Sequence, residues 1–323
     1  MAVSILRKSE EVRQITLPTP FLVGPVHTYL VRSDALTLID TGPKTEEAQG
    51  ILLNSLEQMN VRPEDIELVV LTHHHPDHTG LTAKFLPNAL IAGHPKMKPW
   101  LDKDETFFQE RKEFFCDFYT RHGMPEKWVE EIEKGNQGYM VYTDKSRLDI
   151  PTVEGEEIDG LSGWTVIDTP GHAQTHISLF REKDTSMIAG DHILGHISSN
   201  AILEAPYKKG EERPRTLLQY RDALKKCRHI NMIYPGHGED VKNPPQLIEK
   251  RLREQETKAQ VFKQFLKEEP STAFEVCKFM YPDMYQKQPS LTFSETLGHL
   301  DLLEEYGEVK VEEDKGRISY KSV

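Results

Sequence analysis

The strongest constraint on this chain is a histidine-rich stretch that directly follows a predicted strand. Residues 67–71 (ELVVL) are apolar and typical of a buried strand, and the stretch HHHPDH at 73–78 begins one residue later. Alternate residues of an extended chain face the same side, so His73, His75 and Asp77 can converge on one point. The final histidine of the stretch then turns toward a neighbouring site. Zinc prefers imidazole and carboxylate ligands. The stretch therefore predicts a metal site at a strand end.

Three later fragments repeat the arrangement of a strand end followed by a polar residue. They are TPGH at 169–172, AGD at 189–191 and YPGH at 234–237. A glycine precedes the last residue of each fragment, and glycine lets the backbone turn sharply and approach a neighbour closely. We therefore expect His172, Asp191 and His237 to join the histidine-rich stretch in one site.

Other polar residues near these fragments are expected to surround the ligands rather than to bind metal. We predict a supporting or packing role for His176, and we expect Asp40 to orient a ligand histidine or its loop. His192 and His196 follow Asp191 closely in the sequence. They are therefore predicted to line the substrate cleft.

The four ligand fragments, in this order, resemble the metallo-β-lactamase superfamily, specifically its glyoxalase II-like branch with two metal ions. The resemblance covers about residues 15–240 and implies an α/β (α+β) fold, a four-layer αββα sandwich, which agrees with the order of predicted strands and helices. It also implies two divalent metal ions, with zinc expected and iron or manganese compatible with the same ligands. The implied ligand sets are His73, His75 and His172 for one ion, Asp77, His78 and His237 for the other, and Asp191 as a bridge.

This resemblance implies a hydrolytic mechanism. Two divalent ions lower the pKa of a bridging water from about 16 to near 7, and the resulting hydroxide attacks a carbonyl or phosphoryl centre. Asp77 is the candidate catalytic residue, because it can orient the nucleophile or carry its proton. No serine or cysteine nucleophile is needed.

Comparison with other branches of the superfamily excludes several activities. The best-known zinc β-lactamases carry cysteine where this chain has Asp191, so antibiotic hydrolysis is not expected. The diiron oxygen-reducing branch carries glutamate where this chain has His75, which argues against redox chemistry. The stretch between Asp191 and His237 is too short for the cap domain of the related nucleases.

Composition narrows the choice of partners and compartment. The formal net charge of −12 repels polyphosphate, so nucleic acid is a disfavoured partner and a small molecule is the expected one. The three cysteines form no CxxC pair, the N-terminal residues show no signal-peptide pattern, and no run approaches the roughly 20 apolar residues of a membrane span. We therefore expect a cytoplasmic protein without a membrane segment, and a homodimer is possible.

Two domains are predicted. Residues 1–243 form the catalytic domain, and 244–323 resemble the winged-helix-like tail of the lactamase-β-like proteins, a branch that includes endoribonucleases. The third helix of this tail, near 291–306, is acidic, with leucines expected to face inward, so base reading by that helix is not expected. The tail is instead expected to pack against the catalytic domain, wall the cleft or support a dimer.

Two segments bear on the identity of the substrate but do not decide it. The helical, aromatic-rich segment 97–135 is a lid, a dimer interface or an insertion with its own small core. Lys208 and Lys209, with Arg213 and Arg215, form a basic patch that either binds the phosphate or carboxylate of a coenzyme A or glutathione conjugate or is a solvated loop.

The sequence thus predicts a hydrolase of a small-molecule thioester, ester or lactone. The alternatives are a metal-dependent endoribonuclease, favoured by the tail, and a non-enzymatic regulator that uses metal for stability.

Overall fold

Two β-sheets face each other in a computed structural model that describes residues 5–9 and 11–323. The first sheet has strand order β1 to β7, antiparallel from β1 to β4 and parallel from β4 to β7. Its strands are β1 (Ile5–Arg7), β2 (Val12–Leu17), β3 (Val26–Arg32), β4 (Leu36–Ile39), β5 (Leu68–Leu71), β6 (Leu90–Gly93) and β7 (Ile150–Pro151).

The second sheet has the order β12-β11-β10-β9-β8, in which β10 and β11 are parallel and the other neighbours are antiparallel. Its strands are β8 (Thr165–Asp168), β9 (Ile177–Arg181), β10 (Ser186–Gly190), β11 (Met232–Pro235) and β12 (Val241–Lys242). The apolar cluster between the sheets draws residues from both, for example Tyr29 and Val70 from the first and Leu179 and Ile188 from the second. The sheets are therefore packed face to face.

Helices flank the two sheets and form the insertion and the C-terminal tail. They are α1 (Glu46–Gln58), α2 (Pro76–Thr79), α3 (Lys98–Leu101), α4 (Glu105–Arg121), α5 (Glu126–Tyr139), α6 (Thr216–Lys226), α7 (Pro244–Phe265), α8 (Ala273–Met280) and α9 (Pro289–Glu305). Helix α1 illustrates how the sequence starts a helix and packs it on a sheet. Thr45 caps its N-terminus by accepting a hydrogen bond from Ala48 N, and Ala48, Leu52 and Leu56 recur on one face and are buried against the first sheet. The predicted αββα architecture is confirmed.

The C-terminal segment has the predicted order of three helices and a hairpin. Helix α7 begins at Pro244, and the hairpin pairs β13 (Val309–Asp314) with β14 (Arg317–Ser322). Eleven of the seventeen residues of α9 are buried, and Phe293 and Leu300 belong to the same apolar cluster as Leu217 of α6. The tail therefore packs directly on the catalytic half, and its classification as a winged helix stays a prediction.

Segment 97–135 folds into α3, α4 and most of α5. Tyr119, Val129 and Ile132 are buried in the cluster that also contains the C-terminal helices, and the Tyr119 ring meets the Phe293 ring edge-on at 5.1 Å. At its start, Trp100 stacks on His74 with ring centroids 3.7 Å apart. The segment therefore packs into a core that it shares with the tail and not into a small core of its own, whereas the lid and the dimer interface stay predictions.

None of the helices among the described residues combines the length and the apolar character that a membrane span requires.

A buried ion pair fastens the tail to the catalytic half. Arg213 Nη1 donates to Asp301 Oδ2 at 2.8 Å, and the Asp301 side chain is 2% exposed. Asp301→Ala leaves the guanidinium of Arg213 without its ionic partner. We therefore expect the free energy of unfolding to fall by about 3 kcal/mol in urea titrations. Glu304→Ala removes a partner of the more exposed Arg215 and should cost less than about 1 kcal/mol. Equal losses in the two variants would contradict this assignment.

Candidate metal centre

The histidine-rich stretch divides at Pro76 into an extended half and a helical half. Strand β5 ends at Leu71, and His75, directly before the helical half, still has an extended backbone (φ −65°, ψ 146°). Pro76 then begins α2, a position that suits proline because the first helical N–H needs no partner. The prediction from strand alternation is right for His73 and His75 and wrong for Asp77, which lies on the helical turn and points to a different group of residues.

The extended half forms the first triad with a histidine from the second sheet. His73 Nε2 and His172 Nε2 each lie 3.0 Å from His75 Nδ1, and the three nitrogens converge within the distance that one metal ion spans. His172 follows β8, so the triad joins the ends of the two sheets. Three imidazoles in this arrangement are a typical zinc ligand set.

The helical half forms the second triad. Asp77 Oδ2 lies 3.3 Å from His237 Nε2 and 4.0 Å from His78 Nε2, and these three atoms also converge. His237 follows β11, the neighbour of β10 in the second sheet. The residues expected for each metal ion are thus brought together as two triads.

Asp191 lies between the triads. Its Oδ1 is 3.3 Å from His78 Nε2, and its Oδ2 is 3.5 Å from His237 Nε2 and 3.6 Å from His172 Nε2. One carboxylate therefore reaches ligands of both triads. This position suits a group that bridges two cations.

Orphaned polar atoms support the fit of metal ions to this site. His78 Nε2, His237 Nε2 and Asp191 Oδ1 are buried without a hydrogen-bond partner. A buried polar atom left unsatisfied costs about 1–3 kcal/mol, so three in one place need a common explanation. Divalent cations among these atoms would satisfy all three at once.

The first triad is held neutral. Burial lowers the pKa of His73 well below its usual range, and burial aided by His172 lowers the pKa of His75 to about 3. Burial also lowers the pKa of His172. Because histidine binds metal through a neutral nitrogen, these side chains are ready to act as ligands.

In the second triad and Asp191, acidic and basic side chains shift each other's pKa against the effect of burial. Burial alone would lower the pKa of His237, but Asp191 and Asp77 outweigh burial and raise it to about 10. Burial likewise favours neutral Asp191, yet His237 and His78 hold the pKa of this carboxyl well below its usual range. The carboxylates therefore stay ionised and attract cations.

Asp40 orients the second triad, as expected from the sequence. Its Oδ2 lies 2.7 Å from His78 Nδ1 and accepts a hydrogen bond from Thr72 Oγ1, while its Oδ1 accepts one from Thr72 N, both at 2.8 Å. Asp40 has a positive φ of 58°, a conformation that a residue other than glycine adopts only at a cost. The carboxylate fixes the ring of His78 so that Nε2 faces the site.

Backbone carbonyls orient two further ligands. His172 Nδ1 lies 2.9 Å from Asn200 O, and His237 Nδ1 lies 2.8 Å from Pro25 O. Neither contact is predictable from the sequence, because every residue has a backbone carbonyl and nothing in the sequence marks the carbonyls that contact a ligand. His176, which was expected to play a supporting role, accepts a hydrogen bond from Asp191 N at its Nε2, 3.0 Å away.

The predicted substrate residues have different outcomes. His192 is fully buried, packs against Tyr220 and so does not line the cleft, because the backbone turn after β10 directs its ring inward. His196 is exposed, and its ring lies against Gly238, next to His237. Lys208 and Lys209 are exposed on a loop, where Lys208 Nζ lies 3.8 Å from Glu211.

The basic patch is largely neutralised by the tail. Arg213 pairs with Asp301, and Arg215 with Glu304 at 2.8 Å and Glu305 at 3.6 Å. The pairing of both arginines with the tail favours the solvated-loop alternative over the anion site.

The fold and the ligand set define a metal-binding protein of the αββα class, and comparisons with known proteins name the family. The model of the family described as "Metallo-beta-lactamase superfamily" matches residues 22–237. The "Probable metallo-hydrolase YqjP" of Bacillus subtilis (strain 168) is 42% identical over 298 residues, 92% of this chain and 93% of that protein. The chain belongs to the metallo-β-lactamase superfamily and is a metallo-hydrolase.

More distant relatives cover most of the chain. The "Beta-lactamase-like protein 2 homolog" of Caenorhabditis elegans is 27% identical over 82% of this chain and 74% of its own length. The crystal structure of "metallo-beta-lactamase family protein TTHA1429" from Thermus thermophilus superimposes with a TM-score of 0.81 at 25% identity, covering 98% of this chain and 100% of that one. This likeness extends through the C-terminal tail.

The contact between Asp40 and His78 predicts an effect on metal affinity. Asp40→Asn keeps the shape but removes the charge that holds the His78 ring. We expect metal affinity to fall about 10- to 100-fold in chelator competition. Asp65→Asn, on the surface beside Arg62, is the control and should leave affinity unchanged. Wild-type affinity in Asp40→Asn would show that Asp40 serves the fold alone.

The close approach at Gly236 predicts a second effect. An alanine Cβ here would overlap Asp191 Oδ1 and lie 2.9 Å from His78 Cε1. We expect Gly236→Ala to weaken metal binding by at least about tenfold, measured by the same competition. Gly50→Ala is the matched control, since nothing lies within 4 Å of its Cβ in α1, and it should raise the free energy of unfolding by about 1 kcal/mol without changing metal affinity.

Proposed function

We propose that this metallo-hydrolase binds two divalent metal ions, zinc in the first instance, and hydrolyses a small-molecule thioester, ester or lactone. The observation that carries the proposal is the position of Asp191, whose two oxygens contact histidines of both triads. His73, His75 and His172 would hold one ion, and Asp77, His78 and His237 the other. Five imidazoles and two carboxylates suit zinc, and they also accept iron or manganese.

The residues divide the work of hydrolysis. When bound, the two ions supply an acidified water as nucleophile near neutral pH and stabilise the charge that develops on the substrate. Asp77 is the residue assigned to orient this water and to accept its proton. Its carboxylate is kept ionised by His78 and His237, although burial opposes ionisation, and it lies at the edge of the second triad.

A small molecule is favoured over RNA by the charges around the site. The cations of Arg213 and Arg215 are already paired with acidic residues of the tail. Most of α9 is buried rather than free to enter a groove, and β13 exposes Glu312, Glu313 and Asp314. Phosphate backbones are recognised through clustered Lys and Arg, so these surfaces disfavour a ribonuclease.

A panel assay tests the proposal. The zinc-loaded protein is offered acyl-CoA and glutathione thioesters, aryl esters, lactones, a phosphodiester and single-stranded RNA. We expect turnover of a thioester, ester or lactone, two zinc ions per chain by mass spectrometry, and a loss of at least about 10³-fold in kcat/KM in His75→Ala with an unchanged circular dichroism spectrum.

His229→Ala is the matched control, because His229 is an exposed histidine on the surface and should keep full activity. One bound ion in the fully active enzyme would overturn the dinuclear assignment. Cleavage of RNA with all the esters untouched would replace the small-molecule substrate with the endoribonuclease alternative.

A further inference from the structure

A cavity of about 300 Å³ lies between the C-terminal tail and the catalytic half. Residues 198–201 and Leu217 form its wall on the catalytic half, and residues of α7 and α9 form its wall on the tail. We call it the interdomain cavity. Binding sites for small molecules begin at about this volume, whereas one water takes up only about 30 Å³. The interdomain cavity therefore has room for a small organic molecule.

Two buried polar atoms belong to residues that line the interdomain cavity. They are Asn200 Oδ1 and His299 Nε2, and neither has a hydrogen-bond partner among the residues that the structure describes. The side chain of His299 is held in place, because its ring stacks on Phe262 with centroids 5.1 Å apart. Leaving a buried polar atom unsatisfied is costly. Both atoms are therefore suited to contact a bound molecule.

Both of these atoms are hydrogen-bond acceptors. Asn200 Nδ2 donates to Leu291 O at 3.2 Å, and a carbonyl oxygen only accepts, so the amide cannot be turned the other way. His299 Nδ1 lies 2.7 Å from Glu295 O and must carry the hydrogen for the same reason. Burial lowers the pKa of His299, which keeps the ring neutral and leaves Nε2 as an acceptor. A matching molecule must present O–H or N–H donors.

The charged side chains that line the interdomain cavity are paired with one another. Lys258 Nζ lies 2.5 Å from Glu295 Oε1, and Arg251 Nη1 lies 3.1 Å from Glu254 Oε2. An anion would have to displace a carboxylate from its cation, and a cation would have to displace an ammonium or a guanidinium. These pairs therefore favour a neutral molecule.

The interdomain cavity is separate from the metal centre. None of the described residues that line it belongs to either triad. His172 faces His75 with Nε2 and faces the cavity wall with Nδ1, which lies 3.0 Å from Ser199 Oγ and 2.9 Å from Asn200 O. A molecule in the cavity would thus contact residues that orient a member of the first triad without occupying the metal centre.

We propose that the interdomain cavity binds a neutral polyhydroxylated ring of the size of a monosaccharide. A hydroxyl group donates one hydrogen bond and accepts others, so two hydroxyls can satisfy Asn200 Oδ1 and His299 Nε2 while further ones contact the serines of the wall. Ala201 and Leu217 give the C–H face of such a ring an apolar surface. This ligand site is additional to the proposed hydrolysis at the metal centre.

A binding experiment with polyols tests the proposal. The zinc-loaded protein is titrated with myo-inositol, D-ribose and D-glucose, and binding is followed by saturation-transfer difference NMR. Acetate, putrescine and adenine are the anionic, cationic and N–H-donating probes. We expect at least one polyol to bind with a Kd in the millimolar range or below, and we expect the three other probes to bind at least about tenfold more weakly.

Two variants locate the bound polyol. His299→Phe keeps a ring to stack on Phe262 but removes the acceptor, so it should weaken binding about tenfold. The matched control is His229→Phe, the same substitution at an exposed histidine outside the cavity, and it should bind as the wild type does. Ala201→Leu adds side-chain volume to the cavity wall and should abolish binding. Circular dichroism identifies a variant that fails to fold, in which case the other one locates the site.

Three outcomes would overturn the proposal. They are the absence of binding by all three polyols, tighter binding of acetate, putrescine or adenine than of any polyol, and wild-type affinity for the polyol in a folded His299→Phe or Ala201→Leu variant. The experiment measures binding without turnover, so its outcome is independent of whether the metal centre hydrolyses a thioester, ester or lactone.

Discussion

The burial of Asp77 and Asp191 beside the ends of both sheets is the constraint on which the site depends. Both side chains are less than 10% exposed, and removing a carboxylate from water costs several kcal/mol unless opposite charges and hydrogen bonds compensate. His78 and His237 provide this compensation, and Asp40 and the carbonyl of Pro25 hold their rings. The same arrangement explains the close approach of Gly236 to Asp191, since a larger residue would separate the two triads.

The sequence predicted which polar residues the structure brings together, because each follows the end of a strand. Strand ends are readable from short apolar runs, and the strands β5, β8, β10 and β11 end at one edge of the sandwich, so the polar residues that follow them meet. The prediction for Asp77 from strand alternation was wrong, since Pro76 starts a helical turn. The prediction that His192 lines the cleft was wrong, because the chain turns at Gly190, with a φ of +47°, two residues earlier and the His192 ring is buried.

The architecture of two sheets between helices was also predictable, whereas contacts across long sequence separations were not. Arg213 and Arg215 look like part of an anion site in the sequence, and their partners Asp301 and Glu304 lie more than eighty residues further along the chain. The aromatic segment 97–135 likewise reads as a lid, a dimer interface or a separate core until its contact with Phe293 is known. Pairing of this kind depends on the tertiary structure, and local patterns carry no signal for it.

The residues of the two triads and the surface beside them therefore differ in how well the sequence predicts them. Metal ligands are few, chemically distinctive and placed at strand ends, so the class of reaction follows from the sequence. The surface beside the metal centre is formed by a turn between β2 and β3 and by the end of an inserted helix, and its residues are ordinary Phe, Leu, Tyr and Val. The sequence does not mark such residues, and only the fold shows that they are exposed beside the site. The turn that exposes Leu22 is joined through the carbonyl of Pro25 to His237 of the second triad, a contact that only the fold reveals.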